Sequence, residues 1–275
     1  MVRISHKRIK VDAISIGGVE TCYILPEFNL AFDAGRCPEP LVDIQNLFLT
    51  HGHLDHAAGV PYYLGQRALK RLEAGRVITP EKLAEPLSEI VSIWQKIEDF
   101  EFPAEISGLA TGDRVTVGKN LFVKSLQSYP RVASQGYALV EEKVKLKKQY
   151  IGLPGREIQK LKAQKEDIFE LRQAVLFSFS GDSTIEFVLE NEEAQNAQVL
   201  FMECTYIDAK RDVKRAREWG HTHLDEIAEN ASLFKNEKLV LVHFSKRYHP
   251  RFIDKMLKKK LPEDLYNRVE FISPI

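Results

Sequence analysis

The sequence predicts an α/β fold in which two β-sheets within a single domain are flanked by helices. Short apolar runs broken by glycine and proline open the chain, two long amphipathic stretches follow, and a second set of apolar runs occupies the carboxyl-terminal half. The 275 residues are 44% apolar and 28% charged, which suits one large domain and excludes a disordered chain or a disulfide miniprotein. Residues 1–275 contain no fixed-period repeat and no low-complexity linker, so we expect one domain.

The first half of the chain predicts strands followed by helices. The strand-like runs are Ala13–Ile16, Cys22–Leu25, Leu30–Phe32 and Leu47–Thr50. Because glycine or proline interrupts them at short intervals, we expect the opening strands to pair in antiparallel fashion. Apolar residues repeat at helical spacing over Gly59–Glu73 and Pro80–Glu98, and the second stretch begins with proline in its first turn. Two helices are therefore predicted here.

The second half repeats this order of elements. The predicted strands are Asp113–Val117, Leu121–Ser125, Tyr137–Glu141, Ala174–Ser178, Val199–Glu203 and Leu239–His243. A helix is predicted over Thr222–Lys235, between the last two strands. The alternation of strands with helices favours a second sheet with helices on its outer face.

The cysteines and the first ten residues indicate the cellular compartment. Cys22, Cys37 and Cys204 are odd in number and widely spaced, which excludes a disulfide framework and a cysteine-based zinc site. No apolar run approaches the roughly 20 residues that cross a bilayer, and Met1–Lys10 is basic without a following apolar segment. We expect a cytoplasmic protein with no membrane partner.

The chemistry-bearing residues are concentrated in the run His51-Gly-His53-Leu-Asp55-His56, directly after a buried strand. Where a strand ends, residues two apart project the same way, so His51 and His53 can share one cation while Asp55 and His56 reach a second. Imidazole and carboxylate ligands without thiolate favour zinc or manganese. A solvent-exposed histidine-rich loop is the alternative, but packing does not explain so many ligand types in six residues.

The neutral net charge conceals a strongly basic segment. Residues 143–165 contain eight Lys or Arg residues and one acid, Glu157, whereas the whole chain has 39 of each sign. Glycines at 152 and 155 break the segment, which predicts a protruding arm with a glycine turn and a helix over Glu157–Lys165. Such an arm can hold RNA through its phosphates, with Lys145, Lys147, Lys148, Lys160 and Lys162 as candidate contacts. A solvated charged helix is the alternative.

These motifs together resemble a known family. His-x-His-x-Asp-His after a strand is similar to the metallo-β-lactamase fold, and the remaining motifs resemble tRNase Z, closest to its plant-type short form. They are Gly17–Cys22, Phe32–Cys37, Lys145–Leu161, Ser180–Ser183, Met202–Tyr206, Gly220–His223 and His243–Tyr248. The resemblance covers nearly the whole chain. It implies an αββα four-layer sandwich, zinc or manganese as cofactor with one or two ions per chain, tRNA or precursor tRNA as partner, and a homodimer.

The resemblance also implies roles for single residues. Asp182 corresponds to the carboxylate that bridges two metals, and His243 to the last metal ligand. Glu203 supports His221, which protonates the leaving group, and Arg247 contacts phosphate. The implied catalytic set is Asp55, Glu203 and His221, and the implied metal ligands are His51, His53, Asp55, His56, Asp182 and His243. Taken singly, Asp182 also fits a turn or helix N-cap, Glu203 a surface charge and His221 a neighbour of an N-cap. His6, His223 and His249 are expected to be structural or surface residues.

One position departs from the family pattern. The family has a further histidine six residues before a Gly-Tyr pair, where it completes the first metal site with His51 and His53. Here Gly136-Tyr137 is present and that position is Pro130, which cannot coordinate a metal. We therefore expect weaker binding at the first site.

Three functions follow from these expectations. The first is a metal-dependent phosphodiesterase resembling tRNase Z, in which metal-bound hydroxide attacks the phosphodiester and His221 protonates the leaving 3′ oxygen. The second is an RNA-binding protein whose nuclease activity is weakened or lost because of Pro130. The third is a metallo-phosphodiesterase for a small molecule such as a cyclic nucleotide. The absence of a GxxxxGK[ST] loop argues against P-loop nucleotide hydrolysis.

Overall fold

Two β-sheets pack face to face in the computed structural model, which describes residues 1–129, 132–164 and 166–274. The first sheet contains β1 (Val2–His6), β2 (Ile9–Ile16), β3 (Glu20–Leu25), β4 (Leu30–Phe32), β5 (Asn46–Phe48), β6 (Gly75–Pro80) and β7 (Ala104–Leu109). The second contains β8 (Arg114–Gly118), β9 (Leu121–Gln127), β10 (Gln135–Leu146), β11 (Phe169–Phe179), β12 (Val199–Glu203), β13 (Lys238–Val242) and β14 (Val269–Phe271). In both sheets the spatial order of the strands is their order along the chain.

Both sheets change from antiparallel to parallel pairing. Strands β1 to β4 pair antiparallel, as predicted for the opening of the chain, and β4 to β7 pair parallel. Strands β8 to β11 are antiparallel and β11 to β14 parallel. Parallel neighbours require crossover connections, and helices provide them on the outer faces. The helices are α1 (Leu54–Ala57), α2 (Val60–Leu69), α3 (Glu81–Glu98), α4 (Gly155–Ala163), α5 (Glu186–Glu190), α6 (Glu192–Asn196), α7 (Val213–Glu218), α8 (Leu224–Glu229), α9 (Pro250–Lys260) and α10 (Glu263–Tyr266).

The side chains of the central strands are buried on both faces. In β12, Val199 and Phe201 point into the core between the sheets, while Leu200 and Met202 pack under the outer helices. This period of two explains the uninterrupted apolar run of β12, since a strand covered on both sides needs no polar face. On the first sheet, α2 and α3 cover the outer face. The αββα sandwich implied by the resemblance is therefore confirmed.

Several elements differ from the predictions. Strands β1, β6, β7 and β14 were not expected, because they are short or carry charged residues that obscure alternation. The helix predicted over Thr222–Lys235 ends at Glu229 and begins only at Leu224. His223, which the predicted range placed inside the helix, is instead its N-cap, and its Nδ1 accepts a hydrogen bond from the amide of Asp225. That helix prediction was too long at both ends.

The basic segment lies on an extension of the second sheet. Beyond Glu141, the described residues of β10 pair with β11 but no longer with β9, so two strands continue past the sandwich. Helix α4 lies in the connection from β10 to β11, and none of its residues is buried. The basic segment therefore contains a helix, which begins at Gly155, and Lys165 lies outside the described residues. No helix in the described part of the chain is long and apolar enough to cross a bilayer.

Candidate metal centre

Polar side chains from three loops meet at one end of the sandwich. His51, Asp182 and His243 follow strands β5, β11 and β13, and Asp55 and His56 lie in the short helix α1. The carboxyl ends of parallel strands lie at the same edge of a sheet, so loops distant in sequence converge there. Because both sheets become parallel at their centres, this end collects ligands from both.

Asp182 lies between the imidazoles of three histidines. Its Oδ1 is 3.4 Å from His56 Nε2 and 3.3 Å from His243 Nε2, and its Oδ2 is 3.7 Å from His51 Nε2. Asp55 Oδ2 is 3.6 Å from Nε2 of both His56 and His243. The structure therefore brings these five predicted ligands into one cluster, with Asp182 at its middle as the bridging role requires.

The donor atoms fit a divalent cation. Two ligands each about 2.1 Å from a tetrahedral zinc ion are about 3.4 Å apart, which matches these separations. Within the described residues, His51 Nε2, His243 Nε2 and Asp182 Oδ1 are buried without a hydrogen-bond partner, a costly state unless a ligand satisfies them. Three sets of donors lie within 4.8 Å of one another: His51, His56 and Asp182; Asp55, His56 and His243; Asp182, His221 and His243. The chain thus offers a site for divalent metal.

Each buried imidazole is oriented by a partner on its other nitrogen. Nδ1 of His51 lies 2.9 Å from Thr50 Oγ1, and Nδ1 of His243 lies 3.0 Å from Thr205 Oγ1. Nδ1 of His56 lies 2.7 Å from Asp33 Oδ2. These contacts leave Nε2 of each ring directed at the cluster, the tautomer and orientation that a metal ligand needs.

Asp33 organises the loop that carries the motif. Its carboxylate is fully buried and accepts hydrogen bonds from the amide and the hydroxyl of Thr50 as well as from His56. Burial raises the pKa of Asp33 above its usual value, while His56 and Thr50 oppose that shift. The carboxylate of Asp33 therefore orients both Thr50 and the donor His56.

Two residues of the centre adopt a strained backbone. Asp33 has φ +59° and His243 has φ +62°, a region that non-glycine residues seldom occupy. The chain also comes unusually close at Gly17, where a Cβ would lie 2.8 Å from the carbonyl oxygen of His243. Only glycine permits this approach, which ties the first sheet to the His243 loop. Asp33 and His243 therefore hold strained backbone at the centre.

Electrostatics favour metal binding by several donors. Burial, followed by the charge of His56, lowers the pKa of His51 well below its usual value, so its imidazole is neutral and able to coordinate. Burial opposes ionisation of Asp55, but His243 and His56 outweigh it and lower the pKa of Asp55 to about 2. Asp55 is therefore an anionic donor at neutral pH.

Glu203 and His221 form a carboxylate–imidazole pair beside the cluster. Glu203 is fully buried, and its Oε1 lies 3.0 Å from Nδ1 of His221. The same carboxylate accepts from the amides of Ser183 and Thr222 and from the amide and hydroxyl of Thr205. Burial lowers the pKa of His221, but the charge and hydrogen bond of Glu203 outweigh it and raise it to about 9. The pair therefore holds a protonated imidazole next to the donors.

The other predicted site residues are more distant from the donors or more exposed. His53 is exposed, its ring centre lies 4.5 Å from that of His51, and it belongs to none of the three donor sets. Arg247 is exposed, and its Nε donates to Ser245 Oγ at 2.9 Å. Pro130 lies outside the described residues. The predicted sharing of one ion by His51 and His53 stays a prediction.

The arm lysines differ in their surroundings. Lys147 Nζ pairs with Asp167 at 2.5 Å, and Lys162 Nζ lies 4.8 Å from the ring centre of Phe169. Lys145, Lys148 and Lys160 are exposed. Lys148 and Lys160 form no ion pair with any residue that the structure describes. Part of the positive charge predicted for the arm is therefore neutralised locally.

Sequence reasoning missed the residues that orient the donors. Asp33, Thr50 and Thr205 were not assigned roles, although Asp33 lies in a motif that supported the resemblance. Trp219 was also missed; it lines a pocket of about 270 Å³ with the metal donors. A signal existed for Thr50, a hydroxyl residue directly before the ligand His51 at a strand end, but not for Thr205, which meets His243 from another loop.

Comparisons with known proteins agree with this geometry. The chain is 37% identical over 261 residues to tRNase Z TRZ1 of Arabidopsis thaliana, covering 94% of this chain and 93% of that protein. It is 35% identical over 241 residues to the chloroplastic tRNase Z TRZ2 of the same plant, covering 87% and 68%. No family model matches the chain.

Solved structures agree in fold. The crystal structure of the short form of human tRNase Z superposes with a TM-score of 0.64 at 18% identity, covering 96% of both chains. The metallo-β-lactamase fold protein YhfI of Bacillus subtilis gives 0.61 at 15% identity, also covering 96% of both chains. These likenesses establish the metallo-β-lactamase fold, and the 37% identity to TRZ1 over nearly its whole length establishes the family. The chain therefore belongs to the tRNase Z family of metal-dependent hydrolases.

Proposed function

We propose that this protein is a metal-dependent endoribonuclease that removes the 3′ trailer from precursor tRNA. The observation that carries the proposal is the position of the Glu203–His221 pair beside the buried donors, which places a proton donor next to a site for divalent metal. The similar plant proteins are named tRNase Z, which supports tRNA as the substrate.

A divalent cation held by His51, His56, Asp55, Asp182 and His243 would supply charge stabilisation at the phosphoryl oxygens and a nucleophile at neutral pH. The chain itself supplies the proton. His221 Nδ1 is held by Glu203, so Nε2 is the atom from which a proton passes to the leaving 3′ oxygen. Glu203 keeps this orientation because its remaining lone pairs are occupied by buried backbone and hydroxyl donors.

The pairing of Glu203 with His221 favours a nuclease over an RNA-binding protein that has lost its activity. A protein that has lost its catalytic activity has no need to bury the Glu203 carboxylate and to satisfy it with five hydrogen bonds. The two-stranded arm with its exposed lysines favours RNA over a small ester, because a substrate confined to the pocket would not reach it. Arg247, exposed near the end of β13, is proposed to contact phosphate.

We propose zinc as the metal, with manganese as the alternative. The donors are imidazole nitrogens and carboxylate oxygens, and the structure shows no thiolate in the three donor sets formed by the described residues. We propose that one ion is held tightly and a second weakly, since the expected first-site histidine is replaced by Pro130.

We propose that the protein forms a homodimer through helix α3. Ile90, Ile93, Trp94 and Ile97 recur at helical spacing and are 47%, 55%, 44% and 65% exposed. The neighbouring face of the same helix packs on the sheet through Leu87 and Val91. A contiguous exposed apolar stripe marks an interaction surface, and a symmetric pair of such helices would cover both.

We also propose a cytoplasmic location. Cys22, Cys37 and Cys204 are buried free thiols in the structure, which suits a reducing compartment.

Cleavage of a precursor tRNA by the purified protein tests the proposed function. We expect release of the trailer with added zinc or manganese, and loss of cleavage in excess chelator. His221→Ala should lower the rate by roughly 100- to 10,000-fold, the usual contribution of a positioned general acid. His249→Ala is a matched control, since His249 caps helix α9 and lies outside the donor sets formed by the described residues. Absence of cleavage together with tRNA binding would favour the RNA-binding alternative.

A further inference from the structure

Trp219 occupies an unusual position beside the metal donors. It follows helix α7, and its amide donates to the carbonyl oxygen of Ala216 at 3.0 Å, so the helix end sets its position. Its side chain is 47% exposed even though the indole is a large apolar group. Large apolar surface left open within a polar cleft is typical of a ligand site.

The pocket at Trp219 combines two kinds of wall. His51, Asp182 and His221 contribute polar donors, whereas Trp219 and Val132 contribute apolar surface and are 47% and 40% exposed. Its volume is about 270 Å³, close to the lower end of the roughly 300–1,000 Å³ of small-ligand sites. The pocket can therefore hold a single nucleotide but not a folded RNA element.

A nucleotide of an RNA chain has two parts that correspond to the polar and the apolar wall of the pocket. The phosphate requires cationic and hydrogen-bonding groups, while the attached base offers flat faces that stack on aromatic rings. The indole already forms a cation–π contact with Arg215, whose guanidinium carbon lies 5.2 Å from the ring centre.

The position of the proton donor indicates which nucleotide of the substrate lies next to Trp219. His221 is positioned to protonate the leaving 3′ oxygen, and that oxygen belongs to the nucleoside on the 5′ side of the scissile phosphate. Trp219 is two residues from His221 and lines the same pocket, so the nearest base belongs to the same nucleoside.

We propose that Trp219 and Val132 form a nucleobase subsite for the nucleotide that carries the leaving 3′ oxygen. This inference rests on the proposed nuclease function and assigns part of its substrate recognition. Stacking does not depend on the hydrogen-bonding edge of the base, so the subsite accepts all four bases and positions the phosphate without selecting sequence.

The decisive experiment combines a protein change with a substrate change. Wild type, Trp219→Ala and Trp219→Phe are assayed on a precursor tRNA and on the same RNA with an abasic residue immediately 5′ to the scissile phosphate. We expect Trp219→Ala to lower kcat/KM on the intact RNA by roughly 5- to 150-fold, the range for loss of one base–aromatic stack. Trp219→Phe should retain most of the activity, because a ring remains.

The abasic substrate separates stacking from a structural role. On it, wild type and Trp219→Ala should agree within about twofold, since the partner of the indole is already missing. An abasic residue on the 3′ side of the scissile phosphate is the matched control, and there the Trp219→Ala defect should persist. An equal defect of Trp219→Ala on intact RNA and on RNA abasic at the 5′ position would overturn the proposal, as would no defect on either.

A binding measurement tests the nucleobase subsite without requiring that the protein cleave RNA. The chain has two tryptophans, so Trp94→Phe leaves Trp219 as the single tryptophan, whose fluorescence is excited selectively at wavelengths that tyrosine does not absorb. Adenosine 3′-monophosphate should quench it saturably, and inorganic phosphate should not. If no precursor tRNA is cleaved, the proposed nuclease function fails while the fluorescence result still decides the subsite. Equal effects of the two probes would exclude a base-binding role.

Discussion

Replacing Asp33 by asparagine should impair metal binding although Asp33 lies outside the three donor sets formed by the described residues. Asparagine has the same shape, and its carbonyl oxygen can still accept from the amide of Thr50, now 2.7 Å from Asp33 Oδ1. The amide nitrogen then faces Nδ1 of His56, where Asp33 Oδ2 accepts at 2.7 Å. The N–H group of the asparagine and the Nδ1–H group of His56 would then face each other without an acceptor. His56 avoids this by moving its proton to Nε2, the nitrogen directed at Asp182, and a protonated nitrogen cannot coordinate.

The magnitude follows from the geometry of this contact. Removing an outer partner of a metal-ligating histidine costs about 10- to 100-fold in metal affinity, or roughly 1.4 to 2.7 kcal/mol. We expect the upper part of this range, because Asp33 and His56 are both fully buried and no solvent can replace the lost acceptor. The metal-free protein should also lose about 1.5 to 3 kcal/mol of unfolding free energy, the value of one charge-assisted hydrogen bond.

Competition with a chromophoric chelator measures the zinc affinity of the metal-free variant, and thermal unfolding shows that it is folded. Asp12→Asn is the matched control, since it makes the same change at a carboxylate that pairs with the exposed Arg3 on β1. That control should bind zinc like wild type. If Asp33→Asn also bound zinc like wild type, the carboxylate would not determine the tautomer of His56, and the argument from oriented imidazoles would be wrong.

Further predictions concern the arm, the metal count and the dimer. Charge reversal at Lys148 and Lys160 should weaken tRNA binding and lower the slope of log affinity against log salt by about 0.7 to 0.9 per lost phosphate contact, and unchanged binding would place the RNA surface elsewhere. Exhaustively dialysed protein should contain closer to one metal ion than two per chain by elemental analysis, and two non-exchanging ions would contradict this. Pro130→His should raise both metal content and cleavage rate, whereas an unchanged rate would show that the missing histidine is not limiting. Ile93→Glu with Ile97→Glu should convert a dimer to a monomer in light scattering, and a monomeric wild type would refute the dimer.

The contiguous motif explains why much of the centre was predictable. His51, Asp55 and His56 lie within six residues after an apolar strand, so local geometry alone brings them together. Asp182, Glu203 and His243 also follow apolar strands, and the parallel order of those strands places their ends at one edge. The apolar runs likewise predicted two covered sheets, because strands buried on both faces need no polar residues.

The tertiary structure alone decided which side chains support that motif. Asp33 follows β4 and Thr205 follows β12, and nothing in the pattern of either segment shows that each would meet a histidine from another loop. Trp219 gave no sequence signal, because an isolated tryptophan after a charged helix fits a surface position as well as a pocket wall. Hydrophobic periodicity reports which face of an element is buried, whereas the contacts of loop residues depend on how two sheets pack and on strained turns such as the one at His243. Periodicity therefore predicted the covered strands, the contiguous motif predicted the ligands, and the packing of the sheets determined the partners that orient those ligands.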